Sequence, residues 1–228
     1  MSEIYLPSRK ERELPSAGTQ FAVCCGVIEL GTQPTTYGSK AQVMLQFEML
    51  DEIGTNGKPL LLSRRYTMSV DPRSTLRQDL ESWLGRALSD EELGRLDLSQ
   101  FLGATALLAM RHESRGDKTY ANITSVLKPP AGREPRARPD GPMVAFSLQQ
   151  RPFDEAGYAR LPDWLRAVIA NSPDYRRAKE WVPPSPRLQE QMRGQLAPPT
   201  AATTEHAAAA SRGGNRETAE LFEDDIPF

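Results

Sequence analysis

The sequence predicts a mainly β fold: a five-stranded barrel with a helical insert between strands three and four, short C-terminal helices, and a disordered acidic tail. Three observations predict it. Apolar residues alternate at period two in separated runs, as half-buried strands do. One stretch after the third run switches to helical spacing. The last twelve residues hold five acids and no base.

Each element follows in order. Residues 1–17 are charged and patternless and read as a flexible arm. From Thr19 the chain reads as strand, with Phe21, Val23, Cys25 and Val27 at period two and Ile28 and Leu30 extending the run. Residues 31–40 are rich in turn formers and predict a long loop. Val43, Leu45, Phe47 and Met49 then alternate with polar residues, a second strand. The Asn-Gly turn of residues 54–59 leads into a third, from Leu60 to about Val70. Leu76, Leu80, Trp83 and Leu84 fall on one face of a helix that Gly85 ends. Ser89 and Glu92 form a capping box for a second helix. Strands over 105–113 and 119–127 complete the region, with Trp83, Leu76, Phe47 and Leu107 as core. Three strands, a helical insert and two strands is the order of the OB-fold, a five-stranded Greek-key barrel. A small sandwich or an open α+β sheet are the alternatives. The barrel is assigned to 18–130.

Residues 131–143 are a Pro-, Gly- and Arg-rich linker. Residues 144–182 form an extension with a short extended segment at 144–146 and helices over 161–170 and 174–181. Its aromatics, Phe153, Tyr158, Trp164, Tyr175 and Trp181, are expected to pack on the barrel or on a partner. Residues 183–216 lack the apolar content to build a core and read as a disordered linker before an acidic tip at 217–228.

Charge is unevenly spread. The net is −2, but five of the 30 acids lie in 217–228, leaving 28 basic against 25 acidic residues elsewhere, a net of +3. A mildly basic body with an acidic end suits a nucleic-acid binder with an interaction tail. No run is long enough to span a bilayer and the first residues lack an export signal, so a cytoplasmic protein without membrane contact is expected. The cysteines, Cys24 and Cys25, are neighbours and read as two reduced thiols. His112 and His206 have no ligand partners at metal spacing. No phosphate loop or nucleophile motif is present, so no enzyme activity, metal or cofactor is expected.

Binding single-stranded DNA needs cations along the backbone path and rings on which bases stack. Tyr37 and Lys40 in the first loop, Lys58 in the next turn, Arg64, Arg65 and Tyr66 in strand three, and Lys118, Tyr120 and Asn122 in the last hairpin supply both. Arg64 and Arg65 point to opposite faces, so one of them is a candidate for a structural ion pair.

The chain ends Phe222-Glu223-Asp224-Asp225-Ile226-Pro227-Phe228. Ile226 and Phe228 gain nothing on a flexible terminus unless they are bound. The design suits a pocket that takes one ring while basic groups meet the acids. This ending resembles that of bacterial single-stranded-DNA-binding proteins, with Asp224, Asp225, Ile226, Pro227 and Phe228 matching the motif. The resemblance implies an N-terminal OB-fold and a tip, from Glu223 to Phe228, that recruits replication and repair proteins. The linker here departs from that family in being Ala-, Thr- and Pro-rich, and extra helices precede it. The body is similar to small phage-encoded proteins regarded as OB-fold binders of single-stranded DNA. The stretches that carry this are 30–33, 63–67, 76–83, 119–122 and 161–165. Self-assembly into a homo-oligomer stays open. So does a different function, an adaptor or mimic that docks on host partners through the tip without binding DNA. Residues 1–143 hold 18 basic and 18 acidic residues, a neutral balance that keeps this alternative alive.

Overall fold

A computed structural model describes residues 13–132 and 138–183. The elements are β1 (Gly18–Thr35), β2 (Gly38–Ile53), β3 (Pro59–Thr67), α1 (Thr75–Leu84), α2 (Asp90–Arg95), a 3-10 turn (Leu98–Phe101), β4 (Thr105–Arg115), β5 (Lys118–Leu127), β6 (Val144–Phe146), α3 (Glu155–Arg160), α4 (Asp163–Ala170) and α5 (Pro173–Lys179). No helix among the described residues is long and apolar enough to cross a membrane.

The strands form one mainly antiparallel sheet in the order β3-β2-β1-β4-β5, with β6 added parallel to β1 at Gly26–Ile28. No backbone ladder joins β3 to β5, so the sheet is not closed. Three strands, then α1 and α2, then two strands follow one another along the chain as the sequence predicts, with α1 between β3 and β4; the expected five-stranded barrel is here an open sheet.

β1 and β2 are longer than expected because residues 31–40 are not a loop. Gln33 pairs with Lys40 and Thr35 with Gly38, and the turn is left to Thr36 and Tyr37. Thr35 closes it, its Oγ1 donating to Gly38 O at 2.6 Å and accepting from Tyr37 N at 3.2 Å. The turn formers are absorbed by irregular pairing. Bulges at Cys24/Gly26 and Glu29/Gly31 shift the register, and Gly31 takes φ +71 with Ser172 packed where a Cβ would lie.

The bulges let β1 serve two cores. Ala22, Cys24 and Val27 join Leu45, Phe47, Leu62, Leu80 and Leu108 on the side that α1 covers. Trp83 centres this core, 5.7 Å from Phe47 and 4.7 Å from Phe101 between ring centroids, with its Nε1 donating to Thr105 O at 2.8 Å. Leu107 was expected here, but Ala106, Leu108 and Met110 are the inward residues and Leu107 sits half-buried on the opposite face. Ser74 caps α1 and Gly85 ends it in the left-handed conformation. The Ser89–Glu92 capping box holds α2, as predicted.

On the other side, Ile28, Leu30 and Met44 lie beneath Phe146, Leu148, Leu161, Leu165 and Ile169. Phe153, Tyr158 and Tyr175 pack around Phe146, whereas Trp164 and Trp181 stay exposed. The extension and the sheet belong to one compact unit, so the expected boundary near 131–143 marks a change in composition and not in packing. Neither α3 nor the 3-10 turn was anticipated, being short and without periodic pattern. Residues 13–17, assigned to the arm, are pinned: Glu13 Oε2 accepts from Thr55 N at 2.8 Å and His112 Nε2 lies 2.7 Å from Pro15 O. The rest of that arm, and the tail from 184 on, lie outside the described residues.

Candidate nucleic-acid interface

The predicted contact residues fall into two groups at opposite ends of the sheet. Tyr37 is 88% exposed at the β1–β2 tip, and Lys40 is exposed one turn below it. Met68 N donates to Ala41 O at 2.8 Å, which brings the end of β3 alongside Lys40. Lys58 lies in the β2–β3 turn at the other end. The β4–β5 hairpin leaves the sheet at that same end, because Met110 pairs with Gly18, where β1 begins. Beyond it, residues 111–115 and 118–122 run on as a two-stranded ribbon.

Ladder parity assigns the ribbon's faces. Arg111, Glu113 and Arg115 stand across from Asn122, Tyr120 and Lys118. Tyr120 is 43% exposed. Asn122 donates to Glu113 Oε2 at 2.8 Å, and Arg115 pairs with the same oxygen at 3.3 Å. Asn122 is therefore held by the ribbon itself. Arg111 was missed in the sequence, although its place two residues before Glu113 sets it on the ring-bearing face. Lys40, Lys58, Arg65, Arg111 and Lys118 have no ion-pair partner among the described residues.

Strand three divides by face. Arg65 is exposed on the outer side with Leu61 and Ser63. Tyr66 was expected to stack on a base, but it points into the core with 2% exposure and so presents no ring face. Its hydroxyl donates to Asp79 Oδ2 at 2.8 Å, and Arg64 Nη1 pairs with the same oxygen at 2.7 Å. Of the two arginines, Arg64 is the structural one. Burial pushes the Asp79 carboxyl above its ordinary range, against the pull of Tyr66, Arg64 and the Val126 amide. Burial also drives the Tyr66 hydroxyl up, with the Asp79 charge second.

The outer face of β1 and β2 is not open. Beside the apolar cover, Glu48 accepts from Asp140 N at 2.6 Å and Gly141 N at 3.1 Å, and Glu29 Oε2 accepts from Ser147 Oγ and Leu148 N, each at 2.9 Å. At the hairpin, Gln33 Nε2 donates to Val168 O at 2.9 Å. Open surface remains on β3, the β1–β2 tip and the ribbon. The signal for this cover was in the sequence: Val27-Ile28 and Val43-Met44-Leu45 are apolar on both faces, as in a doubly covered strand.

Cys24 and Cys25 are free and buried, their thiols pushed up to about 12 and about 11 by burial. No group of three His, Cys, Asp or Glu among the described residues could hold a metal ion. The tip residues Glu223, Asp224, Asp225, Ile226, Pro227 and Phe228 lie outside the described residues. No protein-family model matches the chain, and no curated protein matches it either.

Proposed function

We propose that the chain binds single-stranded DNA without sequence preference through an OB-type barrel and recruits replication, recombination or repair proteins through residues 223–228. The observation that carries this reading is that each end of the sheet has an exposed ring and nearby cations without ion-pair partners among the described residues, Tyr37 and Lys40 at one end, Tyr120, Lys118 and Arg111 at the other. Stacking rings beside backbone-tracking cations are what sequence-tolerant binding requires. The barrel reading is supported by the strand order, by α1 between β3 and β4, and by Asp79 linking the two edge strands. In OB-folds the face of strands two and three, with the first and last hairpin loops, takes oligonucleotides. Here the covered face of β2 directs the strand over Arg65 on β3. The work is set in the cytoplasm and uses no cofactor.

The test is a fluorescence-anisotropy titration of the full chain with a labelled single strand, and with duplex of equal length, at two salt concentrations. Preference for the single strand with affinity falling as salt rises is the expected result, because bound cations release counterions from the phosphates. Absence of binding at low salt moves the function to the second reading, a protein-binding adaptor. That reading draws on the neutral balance of residues 1–143, 18 basic against 18 acidic.

A further inference from the structure

We propose that a pocket under the end of α1, away from the candidate DNA residues, binds an acidic peptide segment of a partner protein with an aromatic or branched apolar anchor. The pocket has a volume of about 450 Å³. That is within the range of about 300–1,000 Å³ typical of ligand sites. Buried Trp83 and Phe101 and the half-buried Leu96 form its floor, and the exposed Arg86, Lys128 and Gln100 stand at its rim. Of the ten residues that line it, two are cations and none is an acid.

The rim is held in place. The Lys128 stem packs where a Cβ on Gly85 would lie, its backbone N donates to Ser82 O at 3.1 Å, and its ammonium has no ion-pair partner among the described residues. Arg86 is oriented by Glu92 through Nη1 at 2.8 Å. A carboxylate between the two cations and an apolar side chain on the floor satisfy both halves of the pocket. A nucleic-acid strand fits less well. Trp83 and Phe101 are 5% and 4% exposed and leave too little open ring for a base to stack on. The chain's own tip has matching chemistry, but the function proposed above keeps it free for other proteins; the inference rests on that reading to this extent.

The probe is a fluorescein-labelled peptide with a Leu-Phe pair flanked by glutamates, titrated into the full-length chain, with a lysine-flanked peptide as control. The exposed rim positions carry the variants, Lys128→Glu and Gln100→Glu, and a thermal melt of each checks the fold. The acidic peptide is expected to bind and the basic one not, with each variant weakening binding about tenfold or more. Single-stranded DNA affinity, measured in parallel, should change less than about twofold. Equal peptide binding by the unaltered chain and both variants overturns the proposal. A parallel loss of DNA affinity in both variants assigns the pocket to nucleic acid and overturns it too. Binding that emerges only after Phe228→Ala makes the chain's own tip the occupant in place of a partner. A chain that binds the peptide but no DNA refutes the DNA reading alone.

Discussion

Asp79 Oδ2 accepts the Tyr66 hydroxyl at 2.8 Å, and this contact carries a link across the open side of the sheet. The same oxygen holds Arg64, while Oδ1 accepts from the Val126 amide at 3.3 Å. One carboxylate on α1 thus ties β3 to β5, strands that share no ladder. A short acidic side chain suits the place, since it accepts from three donors and has few rotamers to lose.

Replacing Asp79 with Ala leaves the Tyr66 hydroxyl and the Arg64 guanidinium without their acceptor, and is expected to cost about 3 kcal/mol of stability. Asp79→Asn should cost less, because it keeps an acceptor. The pH dependence has a definite sign. The folded carboxyl titrates above its ordinary range, so the folded chain binds this proton before the unfolded one. Its contribution is fully present below the unfolded value and is lost as pH rises through the folded one. The stability of the unaltered chain relative to Asp79→Asn should therefore grow on acidification just above the ordinary carboxylate range. Urea unfolding of both at several pH values reads it, and a flat difference would contradict the assignment.

The same geometry separates two kinds of tyrosine. Tyr37→Ala and Tyr120→Ala should each cost about 1–3 kcal/mol of single-stranded DNA binding and little stability, since both rings are exposed. Tyr66→Phe should do the reverse, losing about 2 kcal/mol of stability while DNA affinity holds. Anisotropy titrations alongside thermal melts distinguish them. DNA affinity that drops for Tyr66→Phe but not for Tyr37→Ala would invert the site.

Arg65 is exposed on the outer face of β3 and, in the proposed site, meets a phosphate. Arg65→Ala should weaken binding evenly across sequences and reduce the salt slope by about 0.7. Arg64→Ala should lower stability instead, because its partner is Asp79. A salt slope unchanged by Arg65→Ala removes β3 from the strand's path.

These contrasts mark where sequence reading stopped. Alternation shows that Arg65 and its neighbours Arg64 and Tyr66 face opposite ways, but not which side is core. That depends on where α1 lands and on the acceptor Asp79 carries there. The strands, the Asn-Gly turn and the capping box at Ser89 are local signals, and each was legible. The bulges at Cys25 and Leu30 depend on pairing with β2, so the extension of β1 past Gly31 was not. Leu107 was misplaced for a related reason: in the run Ala106-Leu107-Leu108, apolar character alone does not set parity.

Burial makes a chemical prediction for the adjacent cysteines. With thiols pushed up to about 12 and about 11, neither Cys24 nor Cys25 holds much thiolate near neutral pH. Alkylation of the native chain at about pH 8 should be slow and become fast in urea. Rapid labelling of native protein, followed by mass spectrometry, would show that β1 opens locally at its first bulge.

The last prediction concerns the extension. Leu165 is fully buried within the layer that covers β1 and β2, so Leu165→Ala should cost about 2–5 kcal/mol. Because Glu48 binds two amides of the linker and Glu29 one of the extension, the loss should be felt by the whole unit and not by α4 alone. Far-UV circular dichroism and tryptophan fluorescence should then report one coincident unfolding transition, shifted to lower urea. Trp83 senses the sheet core, and Trp164 and Trp181 sense the extension. An earlier, separate transition in fluorescence would mean that the extension comes away on its own. The outer face of β2 would then be available to a DNA strand after all.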